Sequence, residues 1–165
     1  MIFIQRWDLK TSQLCLLHSY SHLQAQVSRY ISKTGDGPFY LLVALVCWWI
    51  EPFAGLLFFV TALKAFALEL PIYWVLKNSL KRARPMNLPV FIIPSDRYSL
   101  PSGHTSAAFL MADLLSHFYP FLNGIYYLWA SLISLSRLFL GVHFMSDLVA
   151  GAFLGTICAE LILLA

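Results

Sequence analysis

The sequence predicts an all-α integral membrane protein, a bundle of about five transmembrane helices preceded by an interfacial amphipathic helix. Three observations predict it. Of the 165 residues, 59% are hydrophobic and only 12% charged, where a soluble domain carries about 25% charged residues. Mean hydropathy is +0.72. Finally, apolar runs recur along the chain between short turns, after a more polar N-terminal stretch. A span needs roughly 20 residues, so five of them and their loops fill one membrane domain, residues 35–165, behind an N-terminal segment, residues 1–34.

In the N-terminal segment, Leu16, Tyr20, Leu23, Val27 and Tyr30 recur at helical spacing, with His, Gln, Ser and Arg between them. Such a helix is too polar to cross a bilayer and suits its interface. His18 and His22 are four apart but have no third ligand nearby, so solvated histidines are the better reading. No uninterrupted apolar run followed by a small-residue cleavage site marks a signal peptide.

Gly35-Asp36-Gly37-Pro38 is a turn with proline placed to start a helix. The apolar run 39–50 follows, ending near Trp48 and Trp49, and Glu51-Pro52 turns the chain. A second span is expected over 53–76, interrupted by Lys64, Glu69 and Pro71. Ionisable groups inside a span are costly unless they face protein, water or each other, so a Lys64–Glu69 pair is expected. Residues 77–102 are polar, basic and proline-rich and form the one substantial loop. Further spans are expected over 103–119, 121–136 and 144–165. Asp113 and His117 read as polar packing. Gly151 and Gly155 form a GxxxG pair that permits close helix approach. Cys15, Cys47 and Cys158 lie far apart and read as free structural cysteines.

Alternate spans return the chain to one face, and three polar clusters sit where that face would be. In the first, Lys77 and Arg84 are seven apart and share a side if the segment stays helical. Together they suit an anion, arginine as a planar fork and lysine as a point charge; alone, the cluster reads equally as a basic segment touching headgroups. The second is Pro101-Ser102-Gly103-His104 at a helix start, where free N–H groups favour phosphate. Ser102 can cap and donate, Gly103 allows close backbone approach, and His104 can move a proton. The third cluster is Ser136-Arg137, His143 and Asp147. His143 and Asp147 lie four apart, on one face of a helix. A carboxylate on one imidazole nitrogen exposes the other as a nucleophile, and Arg137 adds a cation.

Taken together, Lys77…Arg84-Pro85, Pro101-Ser102-Gly103-His104 and Ser136-Arg137…His143…Asp147 closely resemble the signature of the type 2 phosphatidic acid phosphatase superfamily. That superfamily is related to vanadium haloperoxidases and bacterial acid phosphatases. The resemblance runs from about Gly35 to the C-terminus and does not cover residues 1–34. It implies a membrane phosphatase acting on a lipid-linked phosphomonoester or diphosphate: phosphatidate, phosphatidylglycerophosphate or a polyprenyl diphosphate. His143 would be the nucleophile forming a phosphohistidine, Asp147 its orienting partner and His104 the general acid. Lys77, Arg84, Ser102, Gly103 and Arg137 would bind the phosphate.

No metal or other cofactor is expected, because metal-dependent phosphatases need clustered carboxylates, and only Asp147 and Asp96 fall near these motifs. The partners expected are the bilayer and its lipid phosphates; a net charge of +3 is too small to argue for nucleic acid. Oligomeric state stays open. A bacterial inner (plasma) membrane is the expected location. The positive-inside rule favours a cytoplasmic site, whereas many bacterial members of the superfamily act in the periplasm; several motif cations have catalytic reasons for their place, but Lys81, Arg82 and Arg97 have none. A lipid phosphotransferase using the same site, and a non-catalytic scaffold or transporter, are the alternatives.

Overall fold

The computed structural model describes residues 2–85, 87–94 and 96–165, and all its regular elements are helical. In chain order these are α1 (Ile2–Leu16), α2 (Ser21–Lys33), α3 (Gly37–Ile50), α4 (Pro52–Leu80), α5 (Gly103–Phe118), α6 (Asn123–Phe139) and α7 (Met145–Leu163), with a 3-10 turn at Pro120–Leu122 before α6. The N-terminal segment, expected as one helix, is two, broken at residues 17–20.

α5 stands at the centre, packed against α7, α6 and α4, while α3 and α4 form a hairpin and α1 and α2 lie on α6 and α7. Its sequence explains that place. Ala108, Leu110, Met111, Ala112 and Leu114 are each fully buried, and the buried polar side chains among them are partnered within the fold, Ser106 by Glu69 and Asp113 by Tyr127. Phe58 of α4 and Cys158 and Ala159 of α7 complete the main core.

Gly151 and Gly155 decide how close α7 comes. A Cβ on Gly151 would stand 2.5 Å from the Ser102 carbonyl oxygen, and one on Gly155 would stand 2.1 Å from that of Ser106. The GxxxG pair is therefore used inside the chain, to lay α7 on the first turns of α5. This contact brings the third cluster beside the second.

Two helices, α4 and α7, are long and apolar enough to cross a membrane by length and composition. α3, α5 and α6 have 14, 16 and 17 residues. α4 continues through Pro71 to Leu80, beyond the expected end near residue 76. Lys64 and Glu69 do not pair. Glu69 is buried and accepts a 2.6 Å hydrogen bond from Ser106, whereas Lys64 points outward. Five residues apart on a helix, the two side chains diverge by more than a quarter turn. Asp113 accepts a hydrogen bond from the Tyr127 hydroxyl, so its part is packing between α5 and α6. Cys15, Cys47 and Cys158 are free.

Candidate active site

The helix α4 stops at Leu80 because Lys81 takes the left-handed conformation (φ 47°). Arg82 and Arg84 thus leave the helix on a turn, and the expected helical alignment of Lys77 with Arg84 does not occur. They converge by another route. Asp96, from the loop before α5, accepts from the Lys77 ammonium at 2.8 Å and from the Tyr73 hydroxyl at 2.6 Å. Its other oxygen accepts from Arg84, whose Nε also donates to the Asp96 backbone carbonyl. Burial pushes the Asp96 carboxyl up, but hydrogen bonds from Lys77 and Tyr73 and the charges of Lys77 and Arg84 outweigh it, holding it below the usual carboxylate range.

Arg84 reaches the third cluster as well. One guanidinium nitrogen donates to the Val142 carbonyl and lies 3.5 Å from His143 Nε2. His143 sits in the turn between α6 and α7, 3% exposed. Its Nδ1 is 3.7 Å from Asp147 Oδ2, an approach longer than a hydrogen bond. Burial above all, then the charges of Arg84 and Arg137, outweighs Asp147 and lowers the imidazole to about 4. Nδ1 therefore faces the carboxylate while Nε2 faces the cations.

Asp147 is the third residue of α7, and Oδ2 accepts the Phe144 backbone N–H at 2.8 Å, closing the helix start. Its backbone carbonyl accepts the Ser102 N–H, tying the second cluster to the third. Ser102 is fully buried and its hydroxyl accepts from Thr105. Arg137 is buried, donating one N–H to Ser32 of α2, and its Nε has no acceptor among the described residues.

His104 faces Asp36, the residue before α3, with Nε2 2.9 Å from Oδ1. Both residues line two cavities that meet at them. One, about 740 Å³, is bounded by Arg29, Lys33, Arg137 and Ile92; the other, about 420 Å³, runs between α3, α4 and α5 past Leu41, Phe59, Leu63 and Phe66, with Gly103 in its wall. The site thus joins a polar chamber to an apolar groove.

Of the expected site residues, Gly103, His104 and Arg137 line these cavities, whereas Lys77, Arg84, Ser102, His143 and Asp147 line neither; the acidic partners of the cations and histidines are not legible in the sequence. Asp36 and Asp96 were seen only as a turn residue and a loop residue. Asp8 and Arg82 were given no part, yet Arg82 donates to Asp147 at 2.7 Å and to Asp8 at 2.6 Å. Among the described residues, no three His, Cys, Asp or Glu side chains gather as a metal ion requires.

The chain is similar to known proteins in sequence and in fold. Rat sphingosine-1-phosphate phosphatase 1 (Rattus norvegicus) is 30% identical over 146 residues, covering 76% of this chain but 31% of its own length. Phosphatidylglycerophosphatase B of Bacillus subtilis (strain 168) is 34% identical over 92 residues, 49% of this chain and 44% of its own. The chain therefore spans less than half the length of these relatives. Among solved structures, Aquifex aeolicus LpxE superposes with a TM-score of 0.83 at 25% identity, covering 96% of both chains. A transmembrane PAP2-type phosphatidylglycerolphosphate phosphatase from Bacillus subtilis gives 0.78 at 26% identity, covering 98% of this chain and 85% of that one. A sequence profile of the PAP2 superfamily matches residues 53–165, which hold all three clusters, and the chain belongs to that superfamily.

Proposed function

We propose that this chain is an integral membrane phosphatase that hydrolyses a lipid-linked phosphate through a phosphohistidine, without a metal ion. One observation carries the reading: His143 Nε2 faces Arg84 among largely buried cations, of which Arg137 lines a polar chamber that meets an apolar groove at His104 and Asp36. A phosphate head in the chamber and a hydrocarbon tail in the groove describe an amphiphile. The names of the relatives point to the same substrate class.

In this reading α3 to α7 are five spans and α1 and α2 lie in the interface. The outward side chains support it, since Leu57 and Leu63 of α4 and Val149 and Phe153 of α7 are all exposed. Lipid is the solvent that such faces suit.

The chemistry balances. His143 Nε2 attacks phosphorus in line, the P–O bond to the lipid breaks, and His104 gives its proton to the leaving oxygen. A water then attacks the phosphoryl group, giving its proton to His104; the P–N bond breaks and inorganic phosphate leaves. Lys77, Arg84, Arg137, Ser102 and the Gly103 N–H hold the oxygens, and their positive charge stabilises the charge that the transfer develops.

Phosphate release from phosphatidate, phosphatidylglycerophosphate, sphingosine 1-phosphate and a polyprenyl diphosphate, measured with EDTA beside His143→Ala, tests the reading. Release that survives EDTA, is lost in the variant and passes through an acid-labile, alkali-stable phosphoenzyme is expected. Release indifferent to the variant would overturn the reading.

A further inference from the structure

We infer that Arg82 and Asp8 are positioning residues for Asp147, so that the first helix of the chain completes the support of the reacting histidine. The inference rests on the phosphohistidine reading above and adds to it two residues that the motifs give no role, Arg82 at an intervening position of the first motif and Asp8 outside all three.

The Arg82 guanidinium is held on every side. One nitrogen donates to Asp147 Oδ1 at 2.7 Å and to the Ser146 hydroxyl at 2.6 Å; the other donates to Asp8 Oδ2 at 2.6 Å. Its plane lies over the Phe144 ring, 4.6 Å from the centroid. Asp8 in turn accepts from the backbone N–H of Ser146 at 3.0 Å and from its hydroxyl. Both carboxylates are fully buried. A buried carboxylate is tolerated only when paired and hydrogen-bonded, and Asp8 finds its partners in this one cluster, Arg82 and Ser146, 74 and 138 residues away in sequence.

This cluster fixes Asp147 completely. Oδ1 is taken by Arg82, and Oδ2 is shared between the Phe144 N–H and the approach to His143 Nδ1. The carboxylate therefore cannot rotate away from the imidazole. The charge matters as well as the geometry. Arg82 alone would cancel the negative charge that Asp147 presents to His143; Asp8 restores it, leaving two carboxylates and one guanidinium with one net negative charge. A tether that only docks α1 would need no such placement beside Asp147.

Other charged groups act on His143: Arg84, with Lys77 and Asp96 behind it, and Arg137 from α6, which also acts on His104, itself paired with Asp36 before α3. These stay constant when Arg82 or Asp8 is changed, so the two substitutions isolate the cluster. Arg82→Gln leaves two negative charges beside His143 and should raise its protonation midpoint. Asp8→Asn leaves none and should lower it or leave it in place. Neither residue touches the cations of the phosphate site, so kcat should fall and KM should not.

The test is an NMR titration of ¹⁵N-histidine-labelled protein in detergent, which needs no substrate, for wild type, Arg82→Gln, Arg82→Lys and Asp8→Asn. In parallel, kcat and KM are measured on dioctanoyl phosphatidate micelles. Expected are an upward move of the His143 midpoint by about half a pH unit or more in Arg82→Gln, no upward move in Asp8→Asn, and restoration toward wild type in Arg82→Lys. A midpoint unmoved in Arg82→Gln, or raised in both Arg82→Gln and Asp8→Asn, would overturn the inference. If Arg82→Gln fails to fold, a raised KM with unchanged kcat in Arg82→Lys and Asp8→Asn would overturn it as well. The phosphatase reading fails separately, by wild-type protein releasing phosphate from no lipid while the titration still reports the cluster.

Discussion

Asp96 sits where the proposed function needs an anion, and Asp96→Asn is the substitution that weighs its effect. Its carboxylate bridges Lys77 and Arg84, whose side chains are 5% and 13% exposed, while its own is 33% exposed. An incoming phosphate must take both cations from it. Buried ion pairs can be worth several kcal/mol and exposed ones at most about 1. With a third of the carboxylate in water, about 1 kcal/mol for each pair is the reasonable discount. The asparagine oxygen still accepts a hydrogen bond, so part of that remains. Removing the charge should therefore tighten anion binding by about 1.5–2 kcal/mol, which is roughly ten- to thirtyfold. The assay is competitive inhibition of phosphate release by orthophosphate and by orthovanadate, each at fixed ionic strength. Lys77 would lose its anionic partner in the substrate-free protein and keep only hydrogen bonds, so a lower Tm should accompany the tighter binding and be recovered by added orthophosphate. Inhibition constants that stay equal or weaken would show that Asp96 organises the cations and does not compete for them, and the reasoning would fail.

Other expectations come from neighbouring contacts. Gly155→Ala places a Cβ 2.1 Å from the Ser106 carbonyl oxygen, so α7 must move from α5; a loss of about 1–3 kcal/mol is expected in thermal unfolding, and an unchanged Tm would refute the close-packing argument. Asp36→Asn removes the carboxylate facing His104. It should slow release from an alkyl phosphate about 10–100-fold while sparing p-nitrophenyl phosphate, whose leaving group needs no proton; equal losses on both would deny His104 the general-acid role. Stability should also depend on pH through His143, which is held at about 4 against an ordinary 6.5. As pH falls, the unfolded chain takes up this proton first, so the contribution is complete above pH 6.5 and is lost between 6.5 and about 4. Asp96, held below its usual range, loses its contribution only at still lower pH. Tm measured across that window should fall in wild type and fall less in His143→Asn.

What the sequence made legible was set by local chemistry. Composition announced helices in lipid, and the runs between turns placed α3 to α7 within a few residues. The cations and histidines were legible because each motif is contiguous or helically spaced. Two local inferences failed for physical reasons. Lys77 and Arg84 were expected to share a helix face, but Lys81 ends the helix in a left-handed turn, and it is Asp96 that draws them together. Glu69 was assigned to Lys64 because both looked costly in a span, yet a serine one helix away satisfied the carboxylate.

The missing half of the site is acidic, and that follows from how charge is compensated. A buried cation is eased by an anion, as Lys77 is by Asp96, but nothing requires the anion to be near in sequence. Asp8, Asp36 and Asp96 reach their partners across 74, 68 and between 12 and 19 residues. No spacing rule finds such pairs, because the tertiary path decides them. Asp8 and Asp36 also precede residues 53–165, the stretch that carries the family's pattern. In the proposed function the pattern would supply the cations and the reacting histidines, while two carboxylates outside it would adjust them: Asp36 faces His104, and Asp8 would balance the charge beside His143. On this account, replacing α1 with an equally amphipathic helix lacking Asp8 should preserve docking and reduce turnover. An activity that survives such an exchange would return the first helix to the part of an anchor.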